Sequence, residues 1–378
     1  MRFADVAGHT SLGATMRQAV QSGRVAHAQL LDGPEGSGAL ALARAYAQYL
    51  NCEQRTDDDS CGKCKSCIAN QQLQHADVHW CFPFFKADGS EKATSEPHQK
   101  AWREALLASP TLGLEDWLDA LGADRKQLFI SVDEALEVNR KLGLKSFYGG
   151  WKVWICWLPE TMRTDTANKF LKLMEEPSDK TVMLFVTQNS DRLLATIRSR
   201  VQRIAVPPFR DEDVRTLLQA RLGMSAEDAS QVAHVAEGDL SRAWRLAKSG
   251  NEQSDLKAFV SWMRVCWARD GAGIVAESDQ FASLGREGQK RFLTYALHVM
   301  RQAIVMHFGM PELARLTTGE TQFLDKFRAF IHHENIVDLR EAMEQAHADV
   351  AGNVNGKLVF VQLSLRIHKL LRVPVGQV

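Results

Sequence analysis

Residues 33–40 (Gly-Pro-Glu-Gly-Ser-Gly-Ala-Leu) have the glycine spacing of a phosphate-binding P-loop. A working loop of the form GxxxxGK[ST] needs a lysine that reaches the terminal phosphates and a hydroxyl that holds Mg²⁺, while its glycines let backbone N–H groups surround the anion. The lysine and hydroxyl positions carry Ala39 and Leu40, and the glycines are Gly33, Gly36 and Gly38. The pattern predicts a nucleotide-binding scaffold without ATP chemistry of its own, so no ATP is expected as a cofactor.

Four of the seven cysteines fall close together, at Cys52, Cys61, Cys64 and Cys67. Two CxxC pairs share Cys64 in a polar loop that contains a glycine, so four thiolates can converge tetrahedrally on one structural Zn²⁺. The alternatives are adjacent free thiols, or a redox CxxC pair, for which the thioredoxin-like context is missing. His75 and His79 could each replace a thiolate, but four cysteines already complete the shell.

Length and charge limit the class of protein. A chain of 378 residues exceeds one ordinary core, which predicts two or three domains. Lys plus Arg and Asp plus Glu both number 46, so no basic excess drives nucleic-acid binding, and any DNA contact is expected to be local or shared with partners. No signal-like start and no long apolar run are present, which predicts a soluble cytoplasmic protein with no membrane partner.

The first half alternates apolar runs with helical patterns, which favours a doubly wound α/β domain that ends near Pro207 and Pro208. A helix is predicted over Ala39 to Leu50, directly after the glycine loop. The predicted strands are near-continuously apolar, as buried parallel strands are. They are 28–31, 128–132, 153–157 and 182–186.

The remainder of the chain is predicted to be helical, with short helices over 211–248 that end near Gly223 and Gly238. Beyond Asn251, apolar residues recur at helical spacing and are expected to form a core with a packing or oligomerisation role. These residues are Leu256, Phe259, Val260, Met263, Trp267, Phe292, Tyr295, Ala296, Val299 and Ala303.

Residues 80–127 fit neither pattern, because a charged stretch with Gly89 and Pro97 lies among bulky aromatic side chains. They indicate an inserted subdomain of unknown purpose. A stacking platform for single strands is the alternative, although no regular Arg or Lys spacing supports it. The aromatic residues are Trp80, Phe82, Phe84, Phe85, Trp102 and Trp117.

Several motifs together resemble the clamp-loader subunits of bacterial DNA polymerase III, and the delta-prime branch of that family most closely. They cover residues 1 to about 207 and include the opening 3–9, the lead-in 23–34, the helix 167–177 that ends in Glu-Glu-Pro, and the stretch 193–202. The four cysteines match the position and spacing of the family's zinc module, which would span residues 52–67 here. The resemblance implies an AAA+ P-loop-type parallel sheet domain over 1–207, a helical lid over 208–250, and an all-α collar over 251–378.

The resemblance also implies site residues. In ATP-hydrolysing members, an acidic pair follows the strand that corresponds to the one ending near Cys156. This chain has Trp157 and Leu158 at those two positions. Without those carboxylates, the lysine and the hydroxyl, nothing neutralises the charge of phosphoryl transfer. Glu160 is retained, but it aligns beyond the acidic pair.

Ser199-Arg200-Val201 resembles the family's arginine-finger motif, with Val201 in place of the usual cysteine. Arg200 would then act in trans, in a neighbouring subunit's ATP site. The alternative is that Arg198, Arg200 and Arg203 are ordinary surface charges. Arg242, in a segment that resembles sensor 2, is expected to form an interdomain or intersubunit ion pair.

The implied function is that of a non-hydrolysing subunit that supports loading of the sliding clamp onto primed DNA during replication. Its expected partners are gamma/tau-like ATPase and delta-like subunits, with the clamp and DNA reached through the assembled complex. Two alternatives stay open, an ATP-hydrolysing gamma/tau-like subunit and a zinc-dependent nucleic-acid-binding protein.

Overall fold

The structure, a computed structural model, describes residues 1–109, 111–123, 126–249, 252–310 and 313–374, without the side chains of 248, 249 and 252–254. The chain divides into two compact units. The first comprises Met1–Gly122, Gln127–Ala229 and Glu237–Ala243, and the second comprises Ala123–Lys126, Ser230–Ala236 and Trp244–Val378. The predicted lid contributes residues to both units, and the division into three domains stays a prediction.

The first unit is built on a parallel sheet of five strands. They are β1 (Ala28–Asp32), β2 (Val78–Cys81), β3 (Lys152–Trp157), β4 (Thr181–Thr187) and β5 (Gln202–Ala205). Their order is β2-β3-β4-β1-β5, and every pairing is parallel. Val153, Ile155 and Trp157 enter one apolar cluster while Trp154 and Cys156 enter another, because successive side chains of a strand point to opposite faces. A sheet covered on both faces confirms the predicted α/β fold class.

The first unit also contains helices, of which α2 (Ala39–Asn51) contacts β1, β3 and β4. In the first unit they are α1 (Thr10–Gln21), α2 (Ala39–Asn51), α3 (Lys65–Gln71), α4 (Gln99–Ala108), α5 (Leu114–Leu121), α6 (Val132–Gly143), α7 (Thr164–Glu175), α8 (Ala195–Arg198) and α9 (Asp211–Leu222). Short 3₁₀ turns occur in the first unit at Phe3–Asp5, Glu96–His98, Pro159–Thr161 and Ser190–Arg192, and in the second unit at Arg328–Phe330. α10 (Ala226–Ala236) and α11 (Leu240–Ser249) follow. Gly223 ends α9 in the left-handed conformation, with φ +65°, as predicted.

One predicted strand is wrong. Residues 128–132 form only isolated bridges, from Phe129 to Phe84 and from Ile130 to Met162. The reason is a capping signal, because the Ser131 hydroxyl accepts a hydrogen bond from the Glu134 backbone N–H at 3.1 Å and starts α6 at the next residue.

The aromatic residues of 80–127 are mostly core. Trp80 lies in β2, so the sheet extends into the stretch assigned to an insertion, and the extra segment begins after Cys81. Trp102 stacks on Phe82 with ring centroids 4.3 Å apart and packs edge-on against Trp117 at 5.2 Å. These three side chains are at most 1 % exposed, so a base could not stack on their rings. Their burial argues against the alternative of a single-strand stacking platform.

The second unit is helical, as predicted. Its helices are α12 (Glu252–Ala268), α13 (Gly271–Ser283), α14 (Gly285–His307), α15 (Thr318–Phe327), α16 (Ile336–Ala351) and α17 (Gly356–Leu370). Phe259, Met263 and the predicted residues of α14 are buried in one cluster. The prediction that Trp267 belongs to the core is wrong, because its side chain is 42 % exposed and packs on Phe330 and the Arg372 guanidinium. Across the described ranges, no helix is long and apolar enough to cross a membrane.

Candidate functional site

The glycine loop connects β1 to α2 in the manner of a P-loop. Gly36 and Gly38 have φ of +68° and +83°, in the left-handed region that favours glycine. Gly38 is the N-cap of α2, and the Gly33 N–H donates to the Thr187 carbonyl at 3.2 Å. The turn therefore has the backbone of an anion-binding loop at the start of a helix.

The positions that should serve ATP are filled by core side chains. Ala39 and Leu40 are each 5 % exposed, and Trp157 and Leu158 are each 2 % exposed. All four belong to one apolar cluster of the first unit. None of them can bind Mg²⁺ or neutralise phosphate charge.

Segments distant in the sequence lie directly on the glycine loop. The Leu240 N–H donates to the Gly36 carbonyl at 3.2 Å, and the neutral ring of His9 donates from Nε2 to the Ser37 carbonyl at 2.6 Å. Burial lowers the pKa of His9, which favours that neutral form. Phe209 packs on the His9 ring with centroids 4.7 Å apart.

Little space is left at the loop. The cavity lined by residues 33–40 has a volume of about 30 Å³, which is room for about two water molecules. Its wall includes Thr111, Trp157 and Gln188. The glycine loop and these side chains therefore enclose only a small recess.

Alanine substitutions at two glycines with the same φ of +68° separate backbone strain from crowding. A Cβ at Gly36 would overlap Asp239 Oδ1 and lie 2.7 Å from the Leu240 nitrogen, whereas a Cβ at Gly23 has nothing within 4 Å. We expect Gly36→Ala to lower the free energy of unfolding by about 3 kcal/mol and Gly23→Ala by about 1 kcal/mol. Urea titration followed by circular dichroism measures both, and equal losses would contradict close packing of Asp239 on the loop.

Glu160 and Arg242 are held by neighbouring groups. The Glu160 carboxylate accepts hydrogen bonds from Thr187 Oγ1 at 2.9 Å and from the Gln188 N–H at 3.1 Å, and burial raises its pKa. It therefore binds the end of β4. The Arg242 N–H donates to Asp239 Oδ1 at 2.9 Å, at the start of α11, and the ion pair expected of its side chain stays a prediction.

The four predicted cysteines converge. Their sulfur atoms all lie within 4.8 Å of one another, and Cys61 Sγ is 3.9 Å from Cys67 Sγ. A tetrahedral zinc with Zn–S bonds of 2.3 Å separates its sulfurs by about 3.8 Å. Cys52 follows α2 and Cys64 caps α3, so helix ends position two of the four ligands.

Backbone N–H groups surround these sulfurs. The Cys61 N–H donates to Cys52 Sγ at 3.2 Å, the Cys64 N–H to Cys61 Sγ at 3.3 Å and the Cys67 N–H to Cys64 Sγ at 3.4 Å. The backbone N–H of Lys63 lowers the pKa of Cys61 to about 6, whereas burial raises the pKa of Cys52 and of Cys67. Buried thiolates need a cation, so the cluster fits a zinc ion.

The two histidines considered as ligands have other roles. His75 is buried, with Nε2 2.9 Å from Ser66 Oγ and Nδ1 accepting from the Asp77 N–H at 3.2 Å. His79 lies on β2, and burial lowers its pKa to about 4. Neither belongs to the cysteine cluster.

Arg200 lies beyond the end of α8, and its side chain is 36 % exposed. Its Nε and Nη2 both donate to Glu175 Oε1, at 2.9 and 2.6 Å, and its Nη1 donates to the Thr196 carbonyl at 3.1 Å. Sequence reasoning missed Glu175, although it lies in the Glu-Glu-Pro motif at the end of α7. Arg198 pairs with Asp191 at 3.2 Å and Arg203 with Asp32 at 2.6 Å.

Comparison with known proteins shows the family of this chain. Residues 8–210 match the family described as DNA polymerase III, delta subunit. The chain is 29 % identical to DNA polymerase III subunit delta' of Escherichia coli over 93 % of this chain and 92 % of that protein. It is 27 % identical to DNA polymerase III subunit gamma/tau of Mycobacterium tuberculosis over 60 % of this chain and 33 % of that protein. A DNA polymerase III gamma subunit-related protein from Thermotoga maritima matches with a TM-score of 0.42 and 15 % identity, over 95 % of this chain and 99 % of that one.

The family match, together with the parallel sheet, the P-loop turn between β1 and α2 and the cysteine cluster, identifies an AAA+ protein of the clamp-loader class. The four positions that the sequence pattern predicts for ATP chemistry carry apolar side chains. The chain belongs to the DNA polymerase III delta subunit family, in which its relatives from E. coli and other bacteria are delta-prime subunits.

Proposed function

We propose that this protein is the non-hydrolysing delta-prime subunit of a clamp loader. It would support ATP-driven loading of the sliding clamp onto primed DNA, in a cytoplasmic complex with gamma/tau-like and delta-like subunits. The observation that carries the proposal is the glycine loop, where Ala39 and Leu40 are buried and a cavity of about 30 Å³ is lined by the loop itself. A family member with this loop can take part in the ring without an ATP cycle of its own.

The loss of ATP chemistry is supported at three places. The loop lacks the lysine and the Mg²⁺ hydroxyl, and Trp157 and Leu158 replace the acidic pair. Asp239 and Phe209 pack where glycine Cβ atoms would be, at Gly36 and Gly38. Since electrostatic stabilisation supplies most of the catalysis in phosphoryl transfer, a site without these groups is inactive.

We expect the isolated chain neither to hydrolyse ATP nor to bind it with a dissociation constant below about 1 mM. Titration with a fluorescent ATP analogue and Mg²⁺, next to a phosphate-release assay, measures both. The cognate gamma/tau-like subunit is the positive control. Micromolar binding coupled to turnover would contradict the proposal and favour the ATP-hydrolysing alternative. Weak binding without turnover would not, because loop N–H groups can still hold an anion.

In the proposed complex, Arg200 acts on a neighbour. A guanidinium is always charged, and its planar fork matches phosphate oxygens, so it suits a γ-phosphoryl transition state. Its exposure of 36 % and its pairing with an exposed carboxylate leave it available to a second chain. The residue would be catalytic only there, since the glycine loop of its own chain carries no ATP chemistry.

The zinc module has a structural role in this proposal. Four sulfur ligands complete a tetrahedral shell, so no open position is left for water or substrate. The remaining alternative, a zinc-dependent nucleic-acid-binding protein unconnected with replication, has the formal net charge of zero against it. Affinity capture from lysate distinguishes the two, because only the proposed subunit retains other clamp-loader subunits.

A further inference from the structure

A groove in the first unit has no part in the functions described above. It has a volume of about 240 Å³, so it is larger than the cavity at the glycine loop. It lies where the chain leaves the zinc module and where α4 passes over β2. Its lining residues are Leu73, Trp80, Gln99, Lys100, Trp102 and Arg103.

The apolar part of the groove is preformed. Trp102 is 1 % exposed and fixed by stacking on Phe82, and Trp80 is 8 % exposed with its ring 6.0 Å from that of Trp102. Leu73 packs against the same core cluster. Rings held in this way form an apolar surface without further ordering, which favours binding.

The polar part of the groove is cationic. Lys100 and Arg103 lie three residues apart on one face of α4. Across the described ranges neither forms an ion pair, whereas Arg140 on α6 binds Glu137 at 2.7 Å. The Gln99 amide is held by Ser95 Oγ at 3.1 Å. Two unpaired cations beside an apolar recess are complementary to an acidic ligand.

Leu73 has a strained backbone. Its φ is +56°, and it directly follows Gln72, the C-cap of α3, at a position where glycine is usual because other side chains are disfavoured there. Leu73 and Gln74 donate to the Asn70 and Ala69 carbonyls at 3.1 and 2.8 Å, and these bonds fix the turn. A leucine kept in a position suited to glycine puts an apolar side chain on the wall of the groove.

The size of the groove identifies its ligand. Sites for drug-sized molecules span roughly 300 to 1,000 Å³, so 240 Å³ suits one bulky side chain better than a whole nucleotide. Stacking of bases needs a broad exposed ring face, whereas Trp80 and Trp102 contribute only small parts of their rings to the groove. An apolar side chain flanked by carboxylates satisfies both parts of the groove.

We propose that this groove binds an acidic peptide segment of a partner protein, with one bulky apolar side chain in the recess of Leu73 and Trp80 and carboxylates on Lys100 and Arg103. The site gives the stretch after Cys81 a role in recruitment. It goes beyond the function proposed above and does not depend on Arg200 or on the glycine loop.

Fluorescence anisotropy with the full-length zinc-containing chain tests the proposal. The probes are labelled nonapeptides of sequence Gly-Ser-Asp-Glu-X-Asp-Glu-Gly-Ser, with X as Phe, Leu or Trp. One control peptide has X as Ala, and another has Asn and Gln in place of Asp and Glu. We expect at least one acidic probe with a bulky X to saturate the protein. Both control peptides should have dissociation constants at least about tenfold higher.

Three variants localise the binding. Leu73→Gly removes the apolar side chain from the wall of the groove, and glycine readily adopts the positive φ of this residue. Arg103→Glu reverses the charge of a lining side chain. Each variant should weaken peptide binding about tenfold. Lys92→Glu makes the same charge change at an exposed site outside the groove and should leave binding within about twofold. Retained zinc and unchanged circular dichroism verify the fold of each variant.

Three results would overturn the proposal. One is the failure of all three bulky acidic probes to saturate, and another is equal binding by Leu73→Gly, Arg103→Glu and the unmodified protein. The third is saturation by a labelled oligothymidylate that Arg103→Glu abolishes, which would assign the groove to single-stranded nucleic acid instead. None of these measurements involves ATP or clamp loading. Failure of the groove proposal is therefore distinguishable from failure of the proposed function.

Discussion

The Cys64→Ser variant is expected to lose its zinc and the ordered structure of residues 52–67. Structural zinc sites contribute on the order of 10 kcal/mol of apparent binding energy at neutral pH, far more than a short polar loop gains by packing. Cys64 is both a ligand and the N-cap of α3, and its sulfur accepts the Cys67 N–H at 3.4 Å. A serine keeps a cap but is a poor zinc ligand, so the loss should fall on the metal.

The effect should extend to the N-terminus of the chain. The Asp59 carboxylate accepts hydrogen bonds from the Phe3 and Ala4 N–H groups, at 3.2 and 2.8 Å. Ser60 Oγ accepts from Gln48 Nε2 at 2.9 Å on α2. When the loop loses its metal, these contacts lose their support, and cleavage near the zinc module should become faster.

Elemental analysis of protein prepared without chelator should give about one zinc per chain, and Cys64→Ser should give almost none. Limited trypsin digestion should then cut the variant at Arg55, Lys63 or Lys65 and spare the unmodified chain. Lys65→Ser, an exposed change in the same segment, is the matched control and should keep its zinc. Metal-free unmodified protein, or a Cys64→Ser chain that holds a full equivalent, would rule out the site.

Local patterns were sufficient where a few neighbouring residues determine the outcome. The cysteine cluster was predicted correctly because its ligands span a short stretch, so their spacing alone limits where the sulfurs lie. β1, β3 and β4 are central strands covered on both faces, and their apolar runs are direct evidence of burial.

The errors occur where tertiary structure overrides the local pattern. β5 is an edge strand whose side chains are mostly exposed, and β2 at the other edge carries His79, so neither has an apolar run. Residues 128–132 are apolar, but Ser131 caps a helix. The packing of Asp239 on Gly36 joins residues about two hundred positions apart, and no local pattern contains such a contact.

The functional residues show the same difference between features set by local sequence and features set by tertiary structure. The prediction that ATP chemistry is lost rests on Ala39, Leu40, Trp157 and Leu158, which can be read from the sequence alone. The pairing of Arg200 with Glu175 could not be predicted in this way, because Glu175 ends α7, Arg200 follows α8, and only the fold brings them together. The groove beside α4 was also missed, since it combines residues from the turn after α3, from β2 and from α4.

Arg200→Ala is expected to cause a large but partial loss of DNA-stimulated ATPase and clamp loading in a reconstituted complex. Arginine fingers supplied in trans accelerate hydrolysis by roughly 10³ to 10⁵ in GTPases, and this chain would supply one of several in a ring. The Glu175 pair does not prevent the transfer, because an exposed ion pair of this kind contributes about 0 to 1 kcal/mol. A γ-phosphate in a neighbouring site can therefore replace the carboxylate at little cost.

Four variants make the test specific. Arg200→Lys should rescue poorly, because an ammonium keeps the charge but lacks the planar fork. Arg198→Ala removes a nearby exposed arginine paired with Asp191 and should leave the rates close to those of the unmodified complex. Glu175→Gln frees Arg200 from its partner and should retain activity. All four, including Arg200→Ala, should keep their zinc and their place in the complex.

Steady-state ATPase rates and a clamp-loading assay on primed DNA, with ring assembly checked by gel filtration, decide the role of Arg200. A rate loss confined to Arg200→Ala and Arg200→Lys requires the guanidinium itself, since both variants assemble. Equal losses in Arg198→Ala would indicate a general charge effect at this surface. If assembled complexes with Arg200→Ala hydrolysed ATP and loaded clamps at the unmodified rate, Arg200 would be an ordinary surface partner of Glu175, and the transition-state charge would have to be stabilised by another chain.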